Sequence, residues 1–163
     1  MAGPYFTKRG INLLRRKIHI LETELERLQS QVGDAAETGG NQWHDNASYE
    51  ALVIDIRGVD RQLSDAHKLL NQADVVGPPH DAHGIDIGIE ATISVDGQEK
   101  TVIIGGHGES DPDGGILAYD APMGNVLLGK GAGETAILQI GGRKVHIGIK
   151  KTAIAEKYLR DEG

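Results

Sequence analysis

The chain has no cysteine, one Phe, one Trp and only five Pro in its 163 residues. Without cysteine, disulfides and thiolate metal sites are excluded, and a reducing compartment is the natural setting. So few aromatics leave no platform on which successive bases could stack. No apolar run approaches the ~20 residues of a membrane span. The basic stretch Lys8, Arg9, Arg15, Arg16 and Lys17 is not followed by the apolar segment of a signal peptide. These absences predict a soluble, cytoplasmic protein with no membrane partner. Acid is also lacking at the start, where residues 1–21 carry five Lys and Arg before Glu22 appears. A solvated helix face accounts for that stretch, and so does a positive patch working near a polyanion. The net charge of −7 argues against nonspecific binding to free DNA or RNA.

What is present is a long apolar periodicity. Ile11, Leu14, Ile18, Leu21, Leu25, Leu28 and Val32 fall alternately three and four apart, and Leu52, Ile56, Val59, Leu63, Ala66, Leu70 and Ala73 repeat the pattern. That spacing keeps one narrow seam on each helix, as in coiled-coil packing. Gly39 and Gly40 can end the first helix, Asp45 or Asn46 can cap the second, and Thr7 can cap the first. The short connection predicts antiparallel arms, and about thirty residues per arm give a rod of roughly 45 Å. An intramolecular hairpin predicts a monomer; a self-associating coiled-coil scaffold would instead give an oligomer through the same seam. Gly58 interrupts the second arm, either to permit close approach of the arms or as a tolerated defect.

From residue 77 the pattern changes. Gly77-Pro-Pro-His80 and the polar residues to Gly84 read as a linker. Short runs follow, with Asp96-Gly97 and Gly141-Gly142 as hairpin turns and Pro122 to Leu128 as a short helix capped by Asp120. The expected fold is α+β, with a hairpin over 1–76 (tip 38–46), a linker over 77–84, and a small antiparallel sheet domain with one short helix over 85–163. The lead 1–6 is expected to be frayed, and the tail weakly helical.

Two motifs are decoys. Gly124 to Lys130 has P-loop spacing, but Gly131 stands where a magnesium-binding hydroxyl is needed, and Val126, Leu127 and Leu128 read as a buried helix face. His80 and His83 have the spacing of a metal pair but no further ligand nearby. The tip is more suggestive, since Trp43, His44, Asp45 and Asn46 gather aromatic, imidazole, carboxylate and amide groups at the end of a stalk. Trp43 either folds back on the hairpin or serves a function there.

Asp45-Asn-Ala-Ser-Tyr49-Glu-Ala51 resembles the Glu-Asn-Ala-Glu-Tyr-x-Ala stretch of the bacterial Gre transcription factors. Ile104-Gly-Gly-His-Gly-Glu109-Ser-Asp111 is similar to their Val-Gly-x-x-Glu-x-Asp segment. Tyr119-Asp-Ala-Pro122-Met-Gly124-Asn-Val-Leu-Leu-Gly129-Lys130-Gly-Ala-Gly133-Glu134 resembles their Ser-Pro-Leu-Gly-x-Ala-Leu-Leu-Gly-Lys-x-x-Gly-Asp signature. The resemblance implies a coiled-coil hairpin followed by an FKBP-like domain. It also implies that the latter docks on the β′ subunit of bacterial RNA polymerase through Glu109, Asp111, Asp120, Pro122 and Met123. The tip (Gln42, Trp43, His44, Asp45, Asn46 and Tyr49) would then enter the secondary channel, near the RNA 3′ end. There the family uses an acidic pair to help hold a magnesium ion shared with the polymerase for cleavage of backtracked RNA.

The positions aligned with that pair are Gln42 and Asp45, so one acid is an amide and only Asp45 remains as a weak metal ligand. The expected function is therefore a Gre-like factor, not itself an enzyme and with no cofactor of its own, that modulates elongation or initiation with weak or no cleavage stimulation. The alternative is a competent cleavage factor acting through Asp45, with His44 or Glu37 in place of the lost acid. A peptidyl-prolyl isomerase is a third reading, weakened by the presence of only Tyr119 and Tyr158 as aromatics after residue 77.

Overall fold

The computed structural model describes residues 4–39 and 47–160. Two compact units divide the chain. One comprises residues 12–72, and the other joins residues 1–11 to 73–163.

The first unit is the hairpin, built from α1 (Lys8–Gly39) and α2 (Ala47–Gln72). His67 Nε2 of α2 lies 3.8 Å from Glu22 Oε1 of α1. From that crossing point the helices run about 25 and 30 Å to Gly39 and Ala47, and parallel arms would separate those ends by about 55 Å. The intervening seven residues span at most about 29 Å, so the arms are antiparallel. The expected seam is where burial falls. Leu14, Ile18, Leu21 and Leu28 are buried in α1, and Ala66 is buried in α2. Leu52, Ile56, Val59, Leu63 and Leu70 are half-buried, and Ile56, Val59 and Leu63 lie between exposed neighbours. A Cβ at Gly58 would meet nothing within 4 Å, so that glycine does not serve close approach of the arms.

The second unit is a five-stranded sheet in the order β5-β4-β3-β7-β6. Its strands are β3 (Ile89–Val95), β4 (Gln98–Gly105), β5 (Ile116–Ala118), β6 (Thr135–Ile140) and β7 (Arg143–Ile154). Alternation puts Ile89, Ala91, Ile93, Val102, Ile104, Leu138, Val145, Ile147 and Ile149 into one core, while Ile137 faces outward and Ile140, at the end of its strand, is also exposed. The helix α3 (Pro122–Leu127) closes that core with Leu127, which is fully buried. Asp96 and Gly97 both have positive φ (49° and 87°), the conformation required by the tight turn that joins β3 to β4. The four longer strands pair antiparallel as expected, whereas β5 runs parallel to β4. A parallel neighbour needs a crossover, and the loop 106–115 supplies it.

Three local expectations are corrected. Within the lead, Tyr5–Phe6 is not frayed but forms β1, paired parallel with β2 (Asp74–Val75), and Phe6 is buried, while residues 1–3 lie outside the described residues. This pairing places residues 1–11 and 73–76 with the sheet and not with the hairpin. Residues 77–84 also belong to the sheet unit, with Ala82 packed on the core and its carbonyl accepting a hydrogen bond from Thr152 Oγ1. Asp120 does not cap α3; the N-cap is Ala121, which makes no side-chain bond, and Asp120 is engaged elsewhere. At the tail, Glu156–Arg160 forms the short α4. The expected cap of α1 is present, with Gly10 N–H donating to Thr7 Oγ1 at 3.0 Å.

Candidate functional site

At one end of the sheet the chain leaves β4 through Gly105-Gly106 and returns as β5, Tyr119-Asp120-Ala121 and α3. The two glycines permit close contact. A Cβ at Gly105 would stand 2.8 Å from both Ile116 Cγ2 and Tyr158 Oη. One at Gly106 would stand 2.8 Å from the Thr7 amide nitrogen and 2.9 Å from Glu109 Oε2. Into that gap Glu109 turns its side chain, which is 4% exposed. Its Oε2 accepts from Thr7 Oγ1 at 2.8 Å and from the Gly106 amide at 2.5 Å, and its Oε1 accepts from Tyr158 Oη at 3.2 Å. One carboxylate thus joins the start of α1, the end of β4 and α4.

β1 covers the outer side of the same loop. The His107 amide donates to the Tyr5 carbonyl at 2.8 Å, and the Tyr5 amide donates to Tyr119 Oη at 3.0 Å. The Tyr5 and Tyr119 rings meet edge to face at 5.7 Å, and the Phe6 ring lies 5.4 Å from the His107 imidazole. Held in this way, His107 Nδ1 reaches Asp120 Oδ2 at 2.6 Å, with both side chains more than a third exposed. Asp120 therefore presents a carboxylate of fixed direction, followed by exposed Pro122 at the first turn of α3 and half-buried Met123.

Of the expected docking residues, Asp120, Pro122 and Met123 are gathered on this loop. Asp111 is exposed on the crossover, where its backbone bridges to Ile116. Glu109 is placed differently: its oxygens are engaged inside the fold, so it supports the loop from beneath. The tip residues Gln42, Trp43, His44, Asp45 and Asn46 lie outside the described residues; Tyr49 is half-buried in the first turn of α2. The P-loop spacing is a decoy structurally too, since the Gly129 amide donates to the Ile85 carbonyl and the Lys130 amide to that of Leu127. Among the described residues no group of three potential ligands gathers to hold a metal, and no helix is long and apolar enough to cross a membrane.

Sequence reasoning missed Tyr5, Phe6, His107 and Tyr119 as parts of this site. An aromatic pair in a chain so poor in aromatics was the available signal.

An anchored surface carboxylate beside a proline-started helix is suited to fixing the register of a protein contact. The fold that carries it is a helical hairpin with a curled-sheet module. The profile described as "Transcription elongation factor, GreA/GreB, C-term" matches residues 80–153. Transcription elongation factor GreA of Nautilia profundicola is 28% identical over 147 residues, covering 86% of this chain and 88% of that one. GreA of Oceanobacillus iheyensis is 27% identical over 156 residues, covering 89% and 93%. Among solved structures, GreA factor homolog 1 (Gfh1) of Thermus thermophilus aligns over 93% of this chain and 99% of that chain at 17% identity, with a TM-score of 0.44. The sequence matches support a Gre-family factor.

Proposed function

We propose that this protein binds bacterial RNA polymerase in the cytoplasm through the Asp120–Pro122–Met123 loop, on the β′ subunit. It acts as a monomer that inserts its hairpin tip into the secondary channel beside the RNA 3′ end. There it modulates elongation or initiation while stimulating transcript cleavage weakly or not at all. The observation that carries the docking half is the clamped loop, in which His107 fixes Asp120 beside an exposed proline. The activity half is supported by the tip sequence, which offers one carboxylate, Asp45, and an amide, Gln42. That donor set does not fit a magnesium site of the protein's own, because magnesium held by so few protein oxygens needs waters and other ligands to complete its shell. Any ion at the tip would belong to the polymerase site, and the factor itself carries no enzyme activity.

The test is capture of bacterial core polymerase by the full chain, followed by a cleavage assay on stalled complexes with wild type and Gln42→Asp side by side. The expected result is capture at micromolar concentration and slow cleavage, which Gln42→Asp raises about tenfold or more, the scale on which metal sites respond to a single altered group. Absence of capture would refute the docking half. Rapid cleavage by the wild type would favour the competent factor acting through Asp45.

A further inference from the structure

A second site lies away from the docking loop, within the sheet unit. The first turn of α1 and the chain leaving β2 line a half-open cavity of about 240 Å³, and no residue from 107–123 lines it. Its walls are largely apolar, with Val75, Val76, Pro78 and Ile87 among them, and its only charged lining residues are Lys8 and Arg9. No carboxylate lines it, although the chain has 24 Asp and Glu against 17 Lys and Arg. Arg9 Nη1 is sealed from solvent without a hydrogen-bond partner, the one side-chain atom in that condition among the described residues.

Nη1 has no accessible surface and does not itself line the cavity, so Arg9 meets it with the remainder of its side chain. A guanidinium left without an acceptor is unfavourable, and folded proteins leave few such groups without a reason. The guanidinium fork matches the two oxygens of a carboxylate. Arg9 is the second residue of the 32-residue helix α1, whose amino end adds positive potential at the same place. Cation and hydrocarbon wall together call for a ligand with an anionic head and an apolar body. The volume suits about ten non-hydrogen atoms.

We propose that this cavity binds a small organic carboxylate with an apolar or aromatic body, the head on Arg9 and the body against Val75, Val76, Pro78 and Ile87. The test uses the full ¹⁵N-labelled chain, titrated with 3-phenylpropanoate, with its neutral analogue 3-phenylpropanamide, and with acetate. The expected result is saturable shifts at the amides of Val75, Val76, Ile87 and Gly88 with the aromatic carboxylate. Binding of the amide and of acetate should be at least about tenfold weaker, and Arg9→Gln should abolish the preference for the carboxylate; a tenfold loss corresponds to about 1.4 kcal/mol. Lys150→Gln, outside the cavity, should change nothing. No saturation by about 10 mM, a limit well above the millimolar affinity worth about 4 kcal/mol, overturns the proposal. So does equal affinity for carboxylate and amide, or an Arg9→Gln chain that keeps its preference. The comparison of carboxylate with amide needs no variant, so it stands even if Arg9→Gln does not fold.

Discussion

Replacing Glu109 tests the support of the proposed docking loop most directly. Glu109→Ala removes the carboxylate that accepts from Thr7 Oγ1, the Gly106 amide and Tyr158 Oη. Thr7 and Tyr158 are both about 95% buried, at 5% exposure each, so water cannot readily replace the lost bonds. Each buried hydrogen bond broken in this way costs about 1–3 kcal/mol. The Thr7 hydroxyl can still rotate, and the loop can relax, so the sum is not reached; about 3–5 kcal/mol is expected for Glu109→Ala. Glu109→Gln keeps the shape and one oxygen, which can serve the two donors now on Oε2, and should cost about 1–2 kcal/mol. Glu109→Met keeps the volume but accepts no bond. It separates packing from polar satisfaction, and should fall within about 1 kcal/mol of the alanine variant if the donors dominate.

The helical signal in a thermal melt would report the hairpin as much as the sheet, so the assay must be local. Native-state hydrogen exchange at the fully buried strand position Ile93 reads the sheet unit alone. A near-wild-type Glu109→Met, or alanine and glutamine variants of equal stability, would refute the reasoning. Either result would show that Glu109 fills space and does not bind the three segments together.

Gly124→Ala should destabilise the sheet unit by about 2–4 kcal/mol, because its Cβ would lie 2.2 Å from the Ala118 carbonyl oxygen; a denaturation midpoint equal to wild type would contradict this. Gly58→Ala should stabilise the hairpin by about 0.5–1 kcal/mol, since it sits in open space within a helix, and a loss of helical stability by circular dichroism would count against it. Arg27 binds Glu24 at 2.5 and 2.9 Å. That hydrogen bond, aided by charge attraction and opposed by slight desolvation, holds the Glu24 carboxyl below its ordinary range. A folded-state value below the unfolded one means that the contribution is present above the unfolded carboxyl pKa and is lost as pH falls through the folded value. Arg27→Gln should return the Glu24 titration, followed by NMR, upward toward the ordinary range; an unmoved titration would show that the pair is not formed in solution.

The hairpin was legible in the sequence because its cause is local. A three-four spacing of apolar side chains fixes which stripe of each helix is buried, and burial follows it from Leu14 to Leu70. The Asp-Gly and Gly-Gly turns and the alternating strands were legible for the same reason, since backbone sterics and pleat act over a few residues. The proposal that Asp120, Pro122 and Met123 form a docking loop came from the match to a known motif and not from periodicity.

The tertiary structure alone decided the rest. Nothing within the local stretch Glu109-Ser110-Asp111 indicates that the first side chain turns inward, because its partners Thr7 and Tyr158 are 102 and 49 residues away. The same separation hid β1, whose partner strand lies beyond both helices at Asp74–Val75. It also hid the cavity that brings Lys8 and Arg9 to Ile87. Periodicity and turn chemistry report contacts within a few residues. A buried carboxylate, a parallel strand pair and an orphaned guanidinium depend on chain closures of tens of residues, which only packing of the whole unit determines.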